Sequence, residues 1–265
     1  MIKKIALCPP DYFEVIYAIN AWMDLNAKVD QQLAKKQYEA ARDLYVELGA
    51  QVEEMPAKPG LPDMVFAANH GTVQGNIFVP SHFRHDERKQ EAVFAKKYFE
   101  QKGYEIKELP QELFFEGQGD LIWAYGKYFM GYGKRSSKET AKHLEDFLDY
   151  PVIPLQMHDP YLYHLDVSLG SLSDEVAVVN PKCFLPEDLE RLRHHFPKLI
   201  ETNAQDNSVM ACNLVVVGQH VVLGEGISDQ LYGALEREGF AVHELAMSEY
   251  LKAGGSVKCL TLEQW

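Results

Sequence analysis

A cysteine near the carboxyl end of the chain, Cys259, follows two adjacent glycines, Gly254 and Gly255, and opens a short apolar segment. The glycines allow the backbone to turn sharply and allow a ligand to approach it closely. Lys258 would favour the thiolate form of Cys259 if the two side chains lie near each other. Taken alone, however, this cysteine is more typical of an inert residue in a buried strand.

Four other polar residues precede predicted strands in the same way. With Cys259 they form a series separated by 46 to 51 residues: Asn69, Asp120, Asp166 and Asn213. Each belongs to a predicted unit of strand, turn, strand, helix and connecting strand. This regular spacing predicts a repeat architecture, in which five units closed in a ring would bring the five residues to one central mouth. The first strand, residues 2–8, would complete the fifth unit. An ordinary α/β sheet with units of equal length is the alternative.

Apolar periodicity and capping residues locate the helices between these strands. The first helix follows Asp30 and ends at Gly49, and another starts at Pro186 and ends near 195. Further helices are predicted at about 86–102 and about 228–238. The helix at 86–102 would bury an apolar face formed by Val93, Phe94, Tyr98 and Phe99. The segment from Ser136 to Glu139 resembles a capping box for a helix that ends near 149.

Composition limits the classes of function. The chain has 265 residues and a formal net charge of −13, which argues against nucleic acid or an anionic membrane surface as a partner and suits a small cationic substrate. No apolar run approaches the ~18 residues of a membrane-spanning helix. The cysteines are far apart (Cys8, Cys183, Cys212, Cys259), which indicates a reducing cytoplasm and no structural zinc site. We expect one domain over residues 1–265, with no cofactor.

Five short motifs occur in a fixed order along the whole chain. They are Pro62-Asp63-x-Val65-Phe66-x-x-Asn69-x-Gly71, Phe115-Glu116-Gly117-x-Gly119-Asp120, Gly131-Tyr132-Gly133-x-Arg135, His164-Leu165-Asp166 and Gly254-Gly255-x-x-Lys258-Cys259-Leu260. Together they resemble the pentein superfamily of guanidino-group modifying enzymes. That superfamily contains amidinotransferases, arginine and agmatine deiminases, dimethylarginine hydrolases and arginine dihydrolases. The segment from Cys8 to Met23 is most similar to the arginine dihydrolase branch.

This resemblance implies a five-bladed pseudosymmetric α/β propeller and a hydrolase that removes ammonia from L-arginine or a close derivative. A guanidinium carbon is a poor electrophile, so a thiolate is needed, and Cys259 matches the family nucleophile. His164 matches the family acid and base, which would protonate the leaving ammonia and then deprotonate water. Glu116 matches the third catalytic residue, a carboxylate that orients the histidine or the guanidinium. Taken alone, Glu116 would be read as a loop acid, and His164 as a structural histidine.

The resemblance also assigns residues that bind the substrate. Asp166 matches the carboxylate that pairs with two guanidinium N–H groups, and strand alternation would place it on the same face as His164. Asp63 matches a substrate-contacting acid. Asn69 stands where deiminases and dimethylarginine hydrolases usually carry Asp and arginine dihydrolases carry Asn. Together with Asp166, it favours unmethylated arginine and the release of a second ammonia.

The amino-acid end of the substrate would meet other residues. Arg135 matches the arginine that follows Gly-x-Gly in the family, and Arg84 matches a second arginine, for which Arg88 competes. Each is equally typical of a solvated surface charge when taken alone. Asn20 would contact the same end of the substrate, although Ala21 replaces the proline that usually follows.

Several alternatives stay open. A dimethylarginine hydrolase or an amidinotransferase would differ in its products. A metallohydrolase would use His158, Asp159, His164 and Asp166, or His82 and His85, although these spacings match no compact metal motif. A non-catalytic pentein-like binding protein would lack the cysteine, histidine and carboxylate set that this chain retains. The sequence does not fix the oligomeric state, and homo-oligomerisation through a helix face is open.

Overall fold

The computed structural model describes residues 4–158 and 161–265 and has an α/β fold. The helices are α1 (Gln31–Glu47), α2 (Lys89–Gln101), α3 (Thr140–Leu148), α4 (Pro186–His195), α5 (Ala204–Ser208), α6 (Asp229–Arg237) and α7 (Ser248–Leu251). The strands are β1 (Lys4–Leu7), β2 (Gln51–Glu54), β3 (Gly71–Gln74), β4 (Ile77–Pro80), β5 (Glu105–Ile106), β6 (Leu121–Trp123), β7 (Tyr128–Tyr132), β8 (Val152–Gln156), β9 (Leu169–Ser171), β10 (Val176–Val179), β11 (Lys198–Glu201), β12 (Val215–Val217), β13 (His220–Gly224), β14 (Ala241–Leu245) and β15 (Leu262–Gln264).

The sheets are built from one repeated unit. In the sheet β6-β7-β8, the first two strands form an antiparallel hairpin, and the third follows helix α3 and runs parallel to the second. The sheets β9-β10-β11, with α4, and β12-β13-β14, with α6, repeat this arrangement. The prediction of repeated strand–strand–helix–strand units is therefore confirmed.

The remaining sheet has six strands in the order β2-β1-β15-β3-β4-β5 and contains two such units side by side. In the first, β3 and β4 are antiparallel, and β5 follows α2 and runs parallel to β4. In the second, β15 pairs with β1, and β2 follows α1 and runs parallel to β1. Strand β1 therefore completes the unit that β15 opens, as the sequence predicts, with Ala6 opposite Leu262.

Local chemistry explains several helix ends. Asp30 caps α1 by accepting hydrogen bonds from the backbone N–H groups of Gln32 and Leu33. The predicted capping box at α3 is wrong, because Glu139 is the N-cap and makes no side-chain capping bond. The Ser136 hydroxyl donates instead to Asp120 Oδ2 at 2.6 Å.

The predicted apolar face of α2 is confirmed at Phe99 but is wrong at Val93 and Phe94. Val93 is 56% exposed and Phe94 is 36% exposed, whereas the helix buries Glu91, Ala92, Ala95 and Phe99. Glu91 is completely buried because it pairs with Arg88, which is buried as well. A buried ion pair therefore occupies part of the face that the apolar pattern assigned to hydrophobic side chains.

The repeated polar residues lie just before the strands, in tight turns. Asn69 is in a 3-10 turn (Ala67–His70) before β3, and Asp120 follows a 3-10 turn (Gly117–Gly119) before β6. Asp166 is in a third such turn (Leu165–Val167) before β9, so the strand predicted to start at His164 is a turn there. Cys259 is likewise in a turn, since β15 starts only at Leu262.

Candidate active site

Hydrogen bonds join the five strand entrances to one another. They link, in order, Asn69 to Glu116 (3.2 Å), Asp120 to Leu165 (3.2 Å), Asp166 to Asn213 (3.3 Å), Asn213 to Cys259 (3.1 Å) and Cys259 to Ala68 (3.1 Å). The last bond returns to the entrance at which the first bond starts. In the first four bonds a backbone group of one entrance fixes a side chain of its neighbour, and the fifth joins the Ala68 N–H to the Cys259 carbonyl.

Cys259 is 2% exposed, and two side chains contact its sulfur. The thiol donates to Asp166 Oδ2 at 3.3 Å, and Asn213 Nδ2 donates to Sγ at 3.2 Å. Burial raises the pKa of this thiol well above its usual value, and the charge of Asp166 raises it further. Lys258 was expected to favour the thiolate if its side chain lay near the Cys259 sulfur. Its ammonium group instead bonds to Gln118 Oε1 at 2.8 Å and pairs with Glu263 at 3.1 Å.

His164, Glu116 and Arg135 form a buried ion-paired chain. His164 Nε2 lies 2.7 Å from Glu116 Oε2, and Arg135 Nη1 donates to the same oxygen at 2.9 Å. Burial alone would raise the pKa of Glu116, but Arg135 and the bond to His164 outweigh it and lower that pKa. Burial lowers the pKa of His164 to about 4, although Glu116 opposes this shift. The free site therefore holds a carboxylate beside a neutral imidazole at neutral pH.

Gly119 has no side chain, and this permits the close packing of Asn69 and His164 around it. A Cβ atom at Gly119 would lie 2.2 Å from Asn69 Nδ2 and 3.0 Å from His164 Nδ1. The first distance is a steric clash and the second is tighter than an ordinary van der Waals contact, so the glycine in this motif is needed for close approach rather than for an unusual backbone angle.

Two buried carboxylates keep an oxygen without a hydrogen-bond partner. These are Asp166 Oδ1, beside the nucleophile, and Asp63 Oδ1, in the wall of a cavity. Burial raises the pKa of Asp166 to about 7, and the bond from Cys259 opposes that shift. Burial also raises the pKa of Asp63, although the nearby Arg88 opposes it. Unpaired carboxylate oxygens are unfavourable in a buried site, so both residues are suited to a cationic ligand.

Asp63 lies in the wall of a small cavity together with Cys259 and Asn69. Two arginines complete this wall, Arg88 and Arg135. The structure therefore brings the candidate nucleophile together with both signs of charge. Burial of charged groups around a small cavity is typical of a site for a polar small molecule.

Arg88, rather than Arg84, contributes the second arginine. Arg88 donates to both oxygens of Glu91 and, through Nη1, to Asn69 Oδ1 at 3.0 Å. Arg84 is not among the residues of the cavity wall. Its Nε donates to the Arg135 carbonyl at 3.2 Å, and its guanidinium lies 4.4 Å from the ring centre of Phe114. The sequence feature that points to Arg88 is its i,i+3 spacing from Glu91, which allows the two side chains to form an ion pair on a helix.

The N-terminal segment closes one side of the cavity, and Asn20 is part of that wall. Its Nδ2 donates to the Ala253 carbonyl at 3.0 Å, and its Oδ1 accepts from Trp22 N–H at 2.9 Å. Arg135 Nη2 donates to the Ile19 carbonyl at 2.7 Å. The Asn20 amide therefore holds this segment against the turn that precedes Cys259.

The other candidate groups do not form a site. Within residues 4–158 and 161–265, no three histidine, cysteine, aspartate or glutamate side chains are arranged to hold a metal ion. Asp159, one of the ligands of the metallohydrolase alternative, lies outside the described residues. None of the helices in the described ranges is both long and apolar enough to cross a membrane.

Comparison with known proteins agrees with this geometry. The sequence model of the eukaryotic N,N-dimethylarginine dimethylhydrolase family matches residues 12–265. The N(G),N(G)-dimethylarginine dimethylaminohydrolase of Mycobacterium tuberculosis is 37% identical over 98% of this chain and 85% of its own length. The bifunctional arginine dihydrolase/ornithine cyclodeaminase ArgZ of Synechocystis is also 37% identical over 98% of this chain, which spans only 37% of that relative.

A solved structure extends the similarity to three dimensions. The N-terminal domain of ArgZ, an arginine dihydrolase from the ornithine–ammonia cycle in cyanobacteria, was solved with its product bound. It superimposes with a TM-score of 0.96 at 35% identity, covering 99% of this chain and 97% of the domain. The chain belongs to the N,N-dimethylarginine dimethylhydrolase family, whose members hydrolyse carbon–nitrogen bonds of guanidino groups.

Proposed function

We propose that this protein hydrolyses the guanidino group of L-arginine and releases ammonia through a covalent thiouronium intermediate on Cys259. The observation that carries the proposal is the pair of buried, unpartnered carboxylate oxygens of Asp166 and Asp63. L-Arginine has two cations that can pair with them, its guanidinium and its α-ammonium. Its carboxylate would pair with Arg88 or Arg135, which lie in the cavity wall.

The charge of the substrate would activate the nucleophile. A guanidinium paired with Asp166 lies beside Cys259 and favours its thiolate. The sulfur then forms a bond to the guanidinium carbon, and one C–N bond breaks with its electron pair on nitrogen. The thiol proton passes through His164 to the departing nitrogen, which leaves as ammonia. Glu116 stabilises His164 while it carries the proton.

In the second half of the reaction, water replaces the sulfur. His164 accepts a proton from water, the oxygen bonds to the carbon, and the C–S bond breaks with its electron pair on Cys259. If the resulting ureido product leaves at this point, the enzyme is a deiminase. If it stays bound and reacts again, a second ammonia and carbon dioxide leave and ornithine remains. The sequence and structural similarity of this chain to the dihydrolase ArgZ supports the loss of a second ammonia.

The second candidate is hydrolysis of dimethylarginine, which the family match and the Mycobacterium tuberculosis relative favour. Asp166 argues for the unmethylated substrate. A carboxylate that aligns a guanidinium through two N–H groups needs a hydrogen on each nitrogen that faces it, and a dimethylated nitrogen carries none. No contact in the described parts of the chain favours an amidinotransferase.

We also infer that the five units close into a five-bladed α/β propeller, because the hydrogen bonds between strand entrances form a closed cycle. A continuous cycle supports one catalytic domain over residues 1–265. The four cysteines are buried and form no disulfide bond, which supports a reducing compartment such as the cytoplasm. The net charge of −13 supports a small cationic substrate rather than nucleic acid or a membrane. We keep homo-oligomerisation through a helix face as a proposal, to be tested by sedimentation.

The decisive experiment is product analysis by mass spectrometry. Purified protein is incubated with L-arginine, monomethylarginine or asymmetric dimethylarginine, with Cys259→Ser as the control. Ornithine and two ammonias per arginine would support the dihydrolase, and citrulline alone would support a deiminase. Turnover of methylated substrates only would move the assignment to dimethylarginine hydrolysis. Full activity of Cys259→Ser, or no reaction with any guanidine, would contradict the covalent mechanism.

A further inference from the structure

Asn213 contacts the nucleophile at two atoms, although sequence comparison assigned it no catalytic role. Its side chain is completely buried. Nδ2 donates to Cys259 Sγ at 3.2 Å, and Oδ1 accepts from the Cys259 N–H at 3.1 Å. The second Nδ2 hydrogen is directed to the Asp166 carbonyl at 3.3 Å. Both ends of the amide are therefore fixed, and the N–H that faces the sulfur cannot rotate away.

The electrostatic setting of the sulfur makes this donor significant. Burial and the neighbouring Asp166 both disfavour negative charge on Sγ. The bond from Asn213 acts in the opposite direction, as does a backbone bond from Ser256. An N–H donor fixed in a buried site stabilises an anion more strongly than a mobile donor in water does.

We propose that Asn213 is a catalytic residue that stabilises negative charge on Cys259 Sγ, both before attack and when the sulfur departs. The proposal rests on the covalent mechanism proposed above. In the first step, the donor helps the thiol release its proton. In the second, the C–S bond breaks, its electron pair returns to Sγ, and the water proton goes to His164. Negative charge develops on Sγ in that transition state, and the Asn213 N–H already points at it.

The amide is better suited to this position than a carboxylate. An aspartate at 213 could still accept the Cys259 N–H, but it would lose the donor to Sγ and add a second negative charge beside Asp166. The substitution Asn213→Asp therefore keeps the shape of the side chain but replaces a hydrogen-bond donor to Sγ with a negative charge. Asn213→Ala removes both bonds without adding charge.

The test measures the thiolate directly, without substrate and without a reagent that must enter the cavity. Ultraviolet absorbance of the thiolate is followed against pH, with Cys259→Ser subtracted as the background. We expect the midpoint to rise by about one pKa unit in Asn213→Ala and by more in Asn213→Asp, as the loss of one hydrogen bond to a charged group requires. Asn180→Asp is the matched control, since Asn180 is also buried and caps a turn by accepting from Lys182 N–H.

Turnover supplies the second readout. In Asn213→Ala, kcat with L-arginine should fall about tenfold, and the enzyme–substrate adduct should accumulate in intact-protein mass spectra because departure of the sulfur is slowed. A folded Asn213→Ala or Asn213→Asp variant whose midpoint matches that of Asn180→Asp, with no adduct, would overturn the proposal and leave Asn213 as a structural bond. If Asn213→Asp does not fold, the alanine variant decides. Failure of the proposed function can be told apart from failure of this proposal, because the unmodified protein itself would then be inactive on all guanidines.

Discussion

Replacing Asp166 with asparagine should stabilise the protein at alkaline pH while it removes activity. Burial raises the pKa of this carboxyl from 3.8 to about 7. The folded-state pKa is above the unfolded-state value, so the protonated form of Asp166 favours the folded protein. Its contribution to the free energy of unfolding is fully present below pH 3.8 and is lost as the pH rises through about 7. A shift of about three units corresponds to about 4 kcal/mol, which the ionised carboxylate costs the fold above that range. Asparagine cannot ionise and avoids this cost.

The assay is urea unfolding of the wild type and Asp166→Asn at two pH values. The variant should gain about 2 kcal/mol over the wild type at pH 5 and about 4 kcal/mol at pH 8, as linkage between these two pKa values requires. Asp174→Asn, at an exposed carboxyl, is the control and should stay within about 0.5 kcal/mol of the wild type at both pH values. An equal gain at the two pH values, or a smaller one at pH 8, would refute the view that burial strains this carboxylate.

Three further predictions concern the residues around the cavity. Arg88→Lys keeps the charge but loses the planar fork, so KM for L-arginine should rise about tenfold or more, whereas Arg84→Ala should change KM less than about threefold in steady-state assays. Glu116→Gln removes the carboxylate that stabilises protonated His164, so kcat should fall about a hundredfold across a kcat–pH profile, and near-normal kcat would contradict its role. Asp120→Asn should lower kcat about tenfold at unchanged KM, because its carboxylate orients the backbone beside His164; a change in KM alone would exclude that effect.

The proximity of the strand entrances could be predicted because it follows the repeat, whereas the proposed roles of Cys259, His164 and Glu116 come from the resemblance of their motifs to the penteins. Each strand entrance is set by the same unit, so regular spacing along the sequence becomes proximity in space, as the bonds from Asn69 to Glu116 and from Asn213 to Cys259 illustrate. The need for glycine at position 119 was not predicted, since the sequence shows Gly119 only as one member of a motif. It became visible only in the structure, where a Cβ atom at this position would lie 2.2 Å from Asn69 Nδ2.

Buried polar networks could not be predicted in the same way. Ser136 fits a capping pattern, yet its hydroxyl donates to Asp120, because a buried carboxylate competes for the donor that a helix end would use. The apolar pattern of α2 pointed to Val93, but the helix buries Glu91 as the partner of Arg88. Which of two nearby arginines enters a cavity depends on such long-range pairing, and local periodicity does not encode it.

The raised pKa values of Asp166 and Cys259 describe a site that is incomplete without a cation. Arg88 and Arg135 are already paired with internal carboxylates, and Arg88 offsets the raised pKa of Asp63 only in part, so the unpartnered oxygens of Asp63 and Asp166 stay available to a cation. In the proposed mechanism, a guanidinium beside Asp166 would supply the missing charge, lower both pKa values and create the thiolate where the electrophile is bound. Without that cation the sulfur is a buried thiol, which reacts slowly with oxidants and alkylating agents. The proposal therefore explains substrate binding, activation of the nucleophile and its protection by the same unpaired negative charge.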